Sequence, residues 1–191
     1  MNLNQTGLST KAQEKNIFSL LKKKDREAFI RAYDLYIDQI YRFIYFKIGN
    51  KEEAQDLTSV VFLKTWNYIQ NNTLEDFKTL KALIYRVART SIIDYYRKNK
   101  AISSLDQGEG IDIPDNKQNI IKKVEITSDF KLIENKLREL KNEYQEVIIL
   151  RFIEEMSINE IASIINKSKG NVRVLLHRGI KTLRELMEEE L

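Results

Sequence analysis

Apolar residues recur at three- and four-residue spacing along two stretches of this chain, from about Ile17 to Lys98 and from about Phe130 to Leu191. That period predicts helices with one buried face. The first stretch opens with Phe29, Tyr33, Tyr36, Ile40, Tyr41, Phe43 and Ile44, an aromatic and aliphatic stripe of the kind that builds a core. Gly49-Asn50 ends that helix, and Glu52 and Glu53 open the next, where the helix dipole favours acids. A third helix is expected to end near Trp66 to Ile69, with Asn71-Asn72 starting a polar loop that runs to about Lys78. Glycine is scarce and Pro114 is the only proline, so breakers are few and strand-turn-strand signals nearly absent. The expected fold class is all-α: two small helical domains joined by a flexible acidic linker.

The boundaries follow from where the period fades. Residues 1–16 read as a polar tail, 17–98 as the first helical domain, 99–129 as the linker and 130–191 as the second domain. The linker holds Ser103, Ser104, Gly108, Gly110 and Pro114, and its first half sets Asp106, Glu109, Asp112 and Asp115 against Lys100 alone.

The end of the second domain carries the sharpest pattern. Ile158, Ile161, Ala162 and Ile165 make one buried stripe, and Ser157 with Glu160 forms a capping box at its start. Lys167-Ser168-Lys169-Gly170 then breaks the period, with Gly170 free to adopt unusual backbone angles and Ser168 or Asn171 available as the next N-cap. On the following helix Val172, Leu175, Leu176, Gly179, Leu183, Leu186 and Met187 share one side, while Asn171, Arg173, Val174, His177, Arg178, Lys181 and Arg184 share the other. Two helices meeting at such a joint form a helix-turn-helix, and the polar side of the second offers cations for phosphates and hydrogen-bonding groups for base edges. Glu185, Glu188, Glu189 and Glu190 reverse the charge at the end, which confines a DNA contact to the first half of that helix.

A second cationic stretch lies at the end of the first domain. Lys78, Lys81, Arg86, Arg89, Arg97, Lys98 and Lys100 face only Asp94, and Phe77, Tyr85, Tyr95 and Tyr96 are interleaved with them. Single-stranded nucleic acid needs this combination, because bases stack on rings while phosphates sit on charges. A solvated face over an aromatic core has the same composition, so the pattern alone leaves both readings open.

Composition narrows the function classes. The net charge of +4 is modest, so the placement of charge matters more than its total. Cysteine is absent and His177 is the only histidine, which removes disulfides, thiolate metal sites and His-based metal centres. No Gly-rich phosphate loop or nucleophile-base pair is found, so no catalytic residue, metal or other cofactor is expected, and the chain is not read as an enzyme. Residues 1–15 lack the apolar core of a secretory signal and no run is long enough to span a bilayer, so a cytoplasmic protein without membrane insertion is expected.

With these residues assembled, the chain resembles a known family. The segment from Phe29 to Lys98, including "EAQDLTSVVFLKTW" and "FKTLKALIYRVARTSIIDYYRK", resembles region two of bacterial extracytoplasmic-function (ECF) sigma factors, and the segment from Leu137 to Met187 resembles their region four. The resemblance implies a promoter-recognition subunit whose partners are core RNA polymerase and promoter DNA, with an anti-sigma factor as a further partner in many members. It places Asp56, Leu57, Ser59, Val60, Phe62 and Trp66 on the polymerase-binding helix, although the family usually has Gln and Glu where this chain has Ser59 and Val60. It places Tyr85, Arg86, Arg89, Thr90, Ser91, Asp94, Tyr95, Arg97 and Lys98 along the minus-ten element, with the loop from Asn71 and Asn72 to Phe77 holding a flipped base. In region four it sets Lys169, Asn171, Arg173, His177, Arg178 and Lys181 against the minus-thirty-five duplex. The acidic linker would run through the cationic RNA channel of the polymerase. A repressor or activator with an N-terminal sensing or dimerisation domain is the alternative, and it predicts specific duplex binding without polymerase.

Overall fold

A computed structural model describes the backbone of residues 4–75, 79–105 and 128–188, with side chains for 12–75, 79–99 and 131–188. Among the described residues there are helices and turns but no strand. The first block comprises α1 (Asn4–Leu21), α2 (Arg26–Ile48), α3 (Lys51–Asn71) and α4 (Leu80–Leu105); the second comprises α5 (Ser128–Glu139), α6 (Asn142–Ile148), α7 (Ile158–Ile165) and α8 (Lys169–Glu188). Between α6 and α7 the chain passes through a single π-helical turn, Ile149–Ile153.

Local chemistry sets most of these ends. Asp25 caps α2 by accepting from the Ala28 N–H at 2.7 Å. Gly49, at φ 76°, closes the helix by donating to the Tyr45 carbonyl, and Asn50 immediately caps α3 by accepting from the Glu53 N–H. The expected joint at Gly49-Asn50 is therefore built as two caps back to back.

Two expected boundaries shift. The segment 1–16 is not a tail throughout, because α1 begins at Asn4: Ile17, Phe18 and Leu21 bury its far end, and the Tyr36 hydroxyl donates to Glu14 at 2.6 Å. Once that end is docked, the preceding Lys, Ala, Gln and Glu residues are good helix formers and extend it at little cost. The linker is shorter than 99–129, since α4 continues to Leu105 and α5 starts at Ser128. Asp106, Glu109, Asp112, Pro114 and Asp115 lie outside the described residues, as do Glu189 and Glu190.

The core of the first block is aromatic, with Tyr36, Phe43 and Tyr85 fully buried and the Phe43 and Tyr85 rings edge to face at 5.2 Å. Aliphatic residues fill the second: Val147, Ile149, Leu150, Ile161, Ile164 and Val172. The two blocks also pack on each other, α2 and α4 of the first meeting α5, the π turn and α7 of the second.

Lys47 sits in this seam, buried, with its ammonium donating to the backbone and side-chain oxygens of Asn142. Burial pulls its pKa down to about 8, the nearby Glu146 opposing and Arg89 reinforcing that shift. Between pH 8 and 10 the unfolded chain therefore holds a proton that the folded chain has lost, so this group makes stability rise with pH, by about 2 kcal/mol across that window. Above pH 10 the sign reverses: burial pushes the Tyr36 and Tyr85 phenols up, and the unfolded chain then carries fewer protons. Urea denaturation at pH 7 to 10 should show the rise, and Lys47→Met should flatten it. An equal rise in that variant would assign it to other groups.

Candidate nucleic-acid interface

α7 starts as its residues dictate. The Ser157 hydroxyl accepts from the Glu160 N–H at 3.3 Å while the Glu160 carboxylate accepts from the Ser157 N–H at 2.9 Å, completing the capping box. The turn that follows differs from expectation. Asn166, not Gly170, takes the left-handed conformation, with φ 54°, and its N–H donates to the Ala162 carbonyl. Asparagine tolerates this geometry because its short polar side chain can bond locally. Gly170 lies inside the first turn of α8, where a Cβ would meet only the Ser168 hydroxyl, 3.8 Å away. Ser168 caps α8, its hydroxyl accepting from the Asn171 N–H at 3.2 Å.

α8 buries Val172, Leu176 and Gly179 and half-buries Leu175, Leu183 and Leu186. Its other side exposes Lys169, Asn171, Arg173, His177, Arg178 and Lys181. Lys181 pairs loosely with Glu185 at 3.7 Å, an exposed contact of little energetic weight. Arg173, His177 and Arg178 have no ion-pair partner among the described residues.

The minus-ten set of the first block is divided. Thr90, Arg97 and Lys98 are exposed, and Arg86, Asp94 and Tyr95 are half-exposed. Asp94 pairs with Lys64 at 3.2 Å and Arg97 at 3.1 Å, and the Tyr95 hydroxyl donates to Glu53. Asn71 and Asn72 are exposed, and their side-chain amides donate to the Asn67 and Tyr68 carbonyls at the end of α3. Phe77 and Lys78 lie outside the described residues.

Three members depart from the expectation of an open surface. Tyr85 is fully buried, its hydroxyl donating to Glu154 at 3.2 Å. Ser91 is buried with its hydroxyl lacking a partner. Arg89 is held by Glu146, at 2.5 and 3.1 Å, and donates to the Ile164 carbonyl at 3.2 Å. The reason is that α4 is covered on two sides, by α2 and α3 of its own block and by α7 of the other.

On the helix expected to meet polymerase, Asp56, Ser59 and Val60 are exposed and Leu57 and Trp66 half-buried. Phe62 is core, with its ring 4.8 Å from Tyr33, so it supports that surface from beneath. Trp66 packs on Phe29 with ring centres 4.8 Å apart. Exposed apolar neighbours missed by the sequence reading are Ile30, Tyr33 and Leu63; the signal was available, since Ile30 and Tyr33, like Val60 and Leu63, stand one helical turn apart.

The seam residues were missed as well. Arg42 grips Glu154 through two bonds of 2.8 and 2.9 Å, and Lys81 reaches Glu160 at 3.7 Å. The carboxylate of Glu154 raises the pKa of the Arg42 guanidinium, and burial, followed by that same carboxylate, raises the Tyr85 phenol. The Gln145 amide donates to the Phe46 carbonyl at 3.0 Å.

Fold and site together define a two-block helical protein that presents a helix-turn-helix and a second basic, aromatic helix. Residues 32–102 match the family described as Sigma-70 region 2, and residues 130–183 match Sigma-70, region 4. The chain is 30% identical over 172 residues to the ECF RNA polymerase sigma factor SigX of Bacillus subtilis, covering 86% of this chain and 88% of the relative. SigW of the same organism is 29% identical over 180 residues, covering 88% and 94%. BldN of Streptomyces coelicolor is 30% identical over 167 residues, 87% of this chain and 62% of the relative's length. This chain belongs to the ECF RNA polymerase sigma factors. Its fold is shared with the sigma factor RpoE solved with the anti-sigma factor NepR from Bartonella quintana, at TM-score 0.67, 20% identity and coverage of 84% and 96%. CnrH solved with the cytosolic domain of CnrY gives TM-score 0.65, 18% identity and coverage of 94% and 99%. Among the described residues no helix is long and apolar enough to cross a membrane.

Proposed function

We propose that this chain binds core RNA polymerase and directs it to promoters, acting as an initiation factor in the cytoplasm and not as a catalyst. The first domain, residues 17–98, docks on polymerase through the exposed side of α3 and takes the unpaired minus-ten strand. The second, residues 130–191, sets α8 into the minus-thirty-five major groove. An anti-sigma factor is a further partner, in keeping with the complexes in which RpoE and CnrH were solved.

The observation that carries this reading is α8: a helix anchored by Val172, Leu176 and Gly179, capped by Ser168, that leaves Asn171, Arg173, His177 and Arg178 exposed. Arginine reads guanine and asparagine reads adenine by paired hydrogen bonds, so the exposed set suits base recognition. A lone repressor would need only this half. The matched sigma region 2 ahead of it supports attachment to polymerase instead.

The test is transcription by purified core polymerase on a promoter library with and without the chain. The expected result is RNA starting at a defined subset of templates only when the chain is present, together with co-purification of the two. No RNA from any template, and no co-purification, would overturn the proposal.

A further inference from the structure

The groups that join the two blocks are the same kind of groups that would hold DNA. From the first block come guanidinium groups, Arg42 and Arg89, and the Tyr85 hydroxyl; from the second come the carboxylates Glu154 and Glu146. Both arginines meet their carboxylates through two parallel bonds, the geometry in which guanidinium also binds phosphate. The Glu154 side chain is 1% exposed and would be costly to bury without Arg42 and Tyr85. Glu146 does the same for Arg89.

We infer that the free chain occupies its own minus-ten surface, with Glu146 and Glu154 taking the places on Arg89 and Arg42 that backbone phosphates of single-stranded DNA take once the blocks part. This rests on the reading of α4 as the minus-ten helix given above. The closed state hides Tyr85, Arg89 and Ser91, so the isolated chain grips single-stranded DNA weakly until something separates the blocks. Closing is inexpensive because the blocks are tethered, which keeps the local concentration of each near the other high. Opening is inexpensive too, because Arg42 and Arg89 and their carboxylates can all be rehydrated. A balanced equilibrium of this kind is one that polymerase and promoter can shift.

Two experiments on the full, free chain test this. Glu146→Gln with Glu154→Gln keeps the side-chain size and removes both charges. Affinity for a fluorescent single-stranded oligonucleotide of mixed sequence should rise about tenfold, within the range usual for coupled equilibria. Unchanged affinity in a variant with native circular dichroism would overturn the inference. In the second arm, Gln39→Cys and Glu155→Cys are placed on the two walls of the cleft that also contains Arg42 and Glu154, in a chain with no cysteine of its own. A short, thiol-cleavable cross-linker should join them in the free protein and lower oligonucleotide affinity about tenfold, with recovery on reduction. Failure to cross-link, or full affinity while cross-linked, would equally overturn it. Neither arm contains polymerase: if closure is found but no transcription, the sigma-factor proposal falls alone, and if transcription occurs without closure, this inference falls alone.

Discussion

Replacing Arg173 and Arg178 together with alanine is expected to reduce promoter-specific transcription by at least about 30-fold, since each lost base contact costs on the order of 1–3 kcal/mol. Successive residues on a helix are about 100° apart, so the two arginines project about 140° from each other around α8. Lys169, His177 and Arg184 lie near Arg173, Asn171 lies near Arg178, and Val174, 47% exposed, stands between the two groups. A major groove embraces a helix in that way, polar groups reaching both walls and an apolar side chain meeting the floor, where a thymine methyl can receive it. Both side chains are exposed, so their loss should leave thermal stability within about 0.5 kcal/mol of the parent. Core polymerase binding should persist as well, because the apolar strip of Ile30, Tyr33, Val60 and Leu63 is on the other block. Transcription at the parental level from the double variant would mean that α8 faces something other than DNA.

The capping box at Ser157, the double cap at Gly49-Asn50 and the buried stripe of α2 were legible in the sequence because each is local: a few adjacent residues satisfy a helix end or line one face. α4 was only half legible. Its period marks one buried face, but Leu83, Ile84 and Tyr85 are buried consecutively, and the second cover comes from α7, whose Ile164 carbonyl bonds Arg89 from 75 positions away. No window of the chain contains that information, and an Arg and a Tyr among lysines read as solvent-facing. The same limit applies to Arg42 and Glu154, 112 positions apart, and to Glu146. Gly170 was a different error: glycine is the residue most permissive of left-handed angles, but Asn166 supplied the turn one helical residue after Ile165, and the chain had already resumed α8 by Lys169.

Gly179→Val should disable the second block by a separate route, unfolding it where the double arginine variant leaves it intact. Glycine inside a helix costs about 1 kcal/mol relative to alanine, so its presence in the middle of α8 calls for a packing reason. A Cβ there would sit 3.1 Å from the Tyr144 Cβ and 3.2 Å from the Ile148 Cδ1, tighter than ordinary van der Waals contact. α6 and α8 approach at this point with no room for a side chain. Alanine needs only a few tenths of an ångström from its neighbours, and its better helix propensity offsets that strain, so Gly179→Ala should be close to neutral. Valine adds two methyl groups on a branched Cβ, which neither Tyr144 nor Ile148 can clear without α8 moving outward, and such overpacking costs about 2–3 kcal/mol. For a chain of 191 residues that corresponds to a fall of roughly 4–12 °C in melting temperature. The helix whose buried side includes Gly179 also carries Arg173 and Arg178, so displacement of one face tilts the other, and promoter-specific transcription should fall while polymerase binding through the first block remains. Equal melting of parent and Gly179→Val would mean that the α6–α8 contact is looser than this geometry requires, and the reason for glycine at that position would have to lie elsewhere.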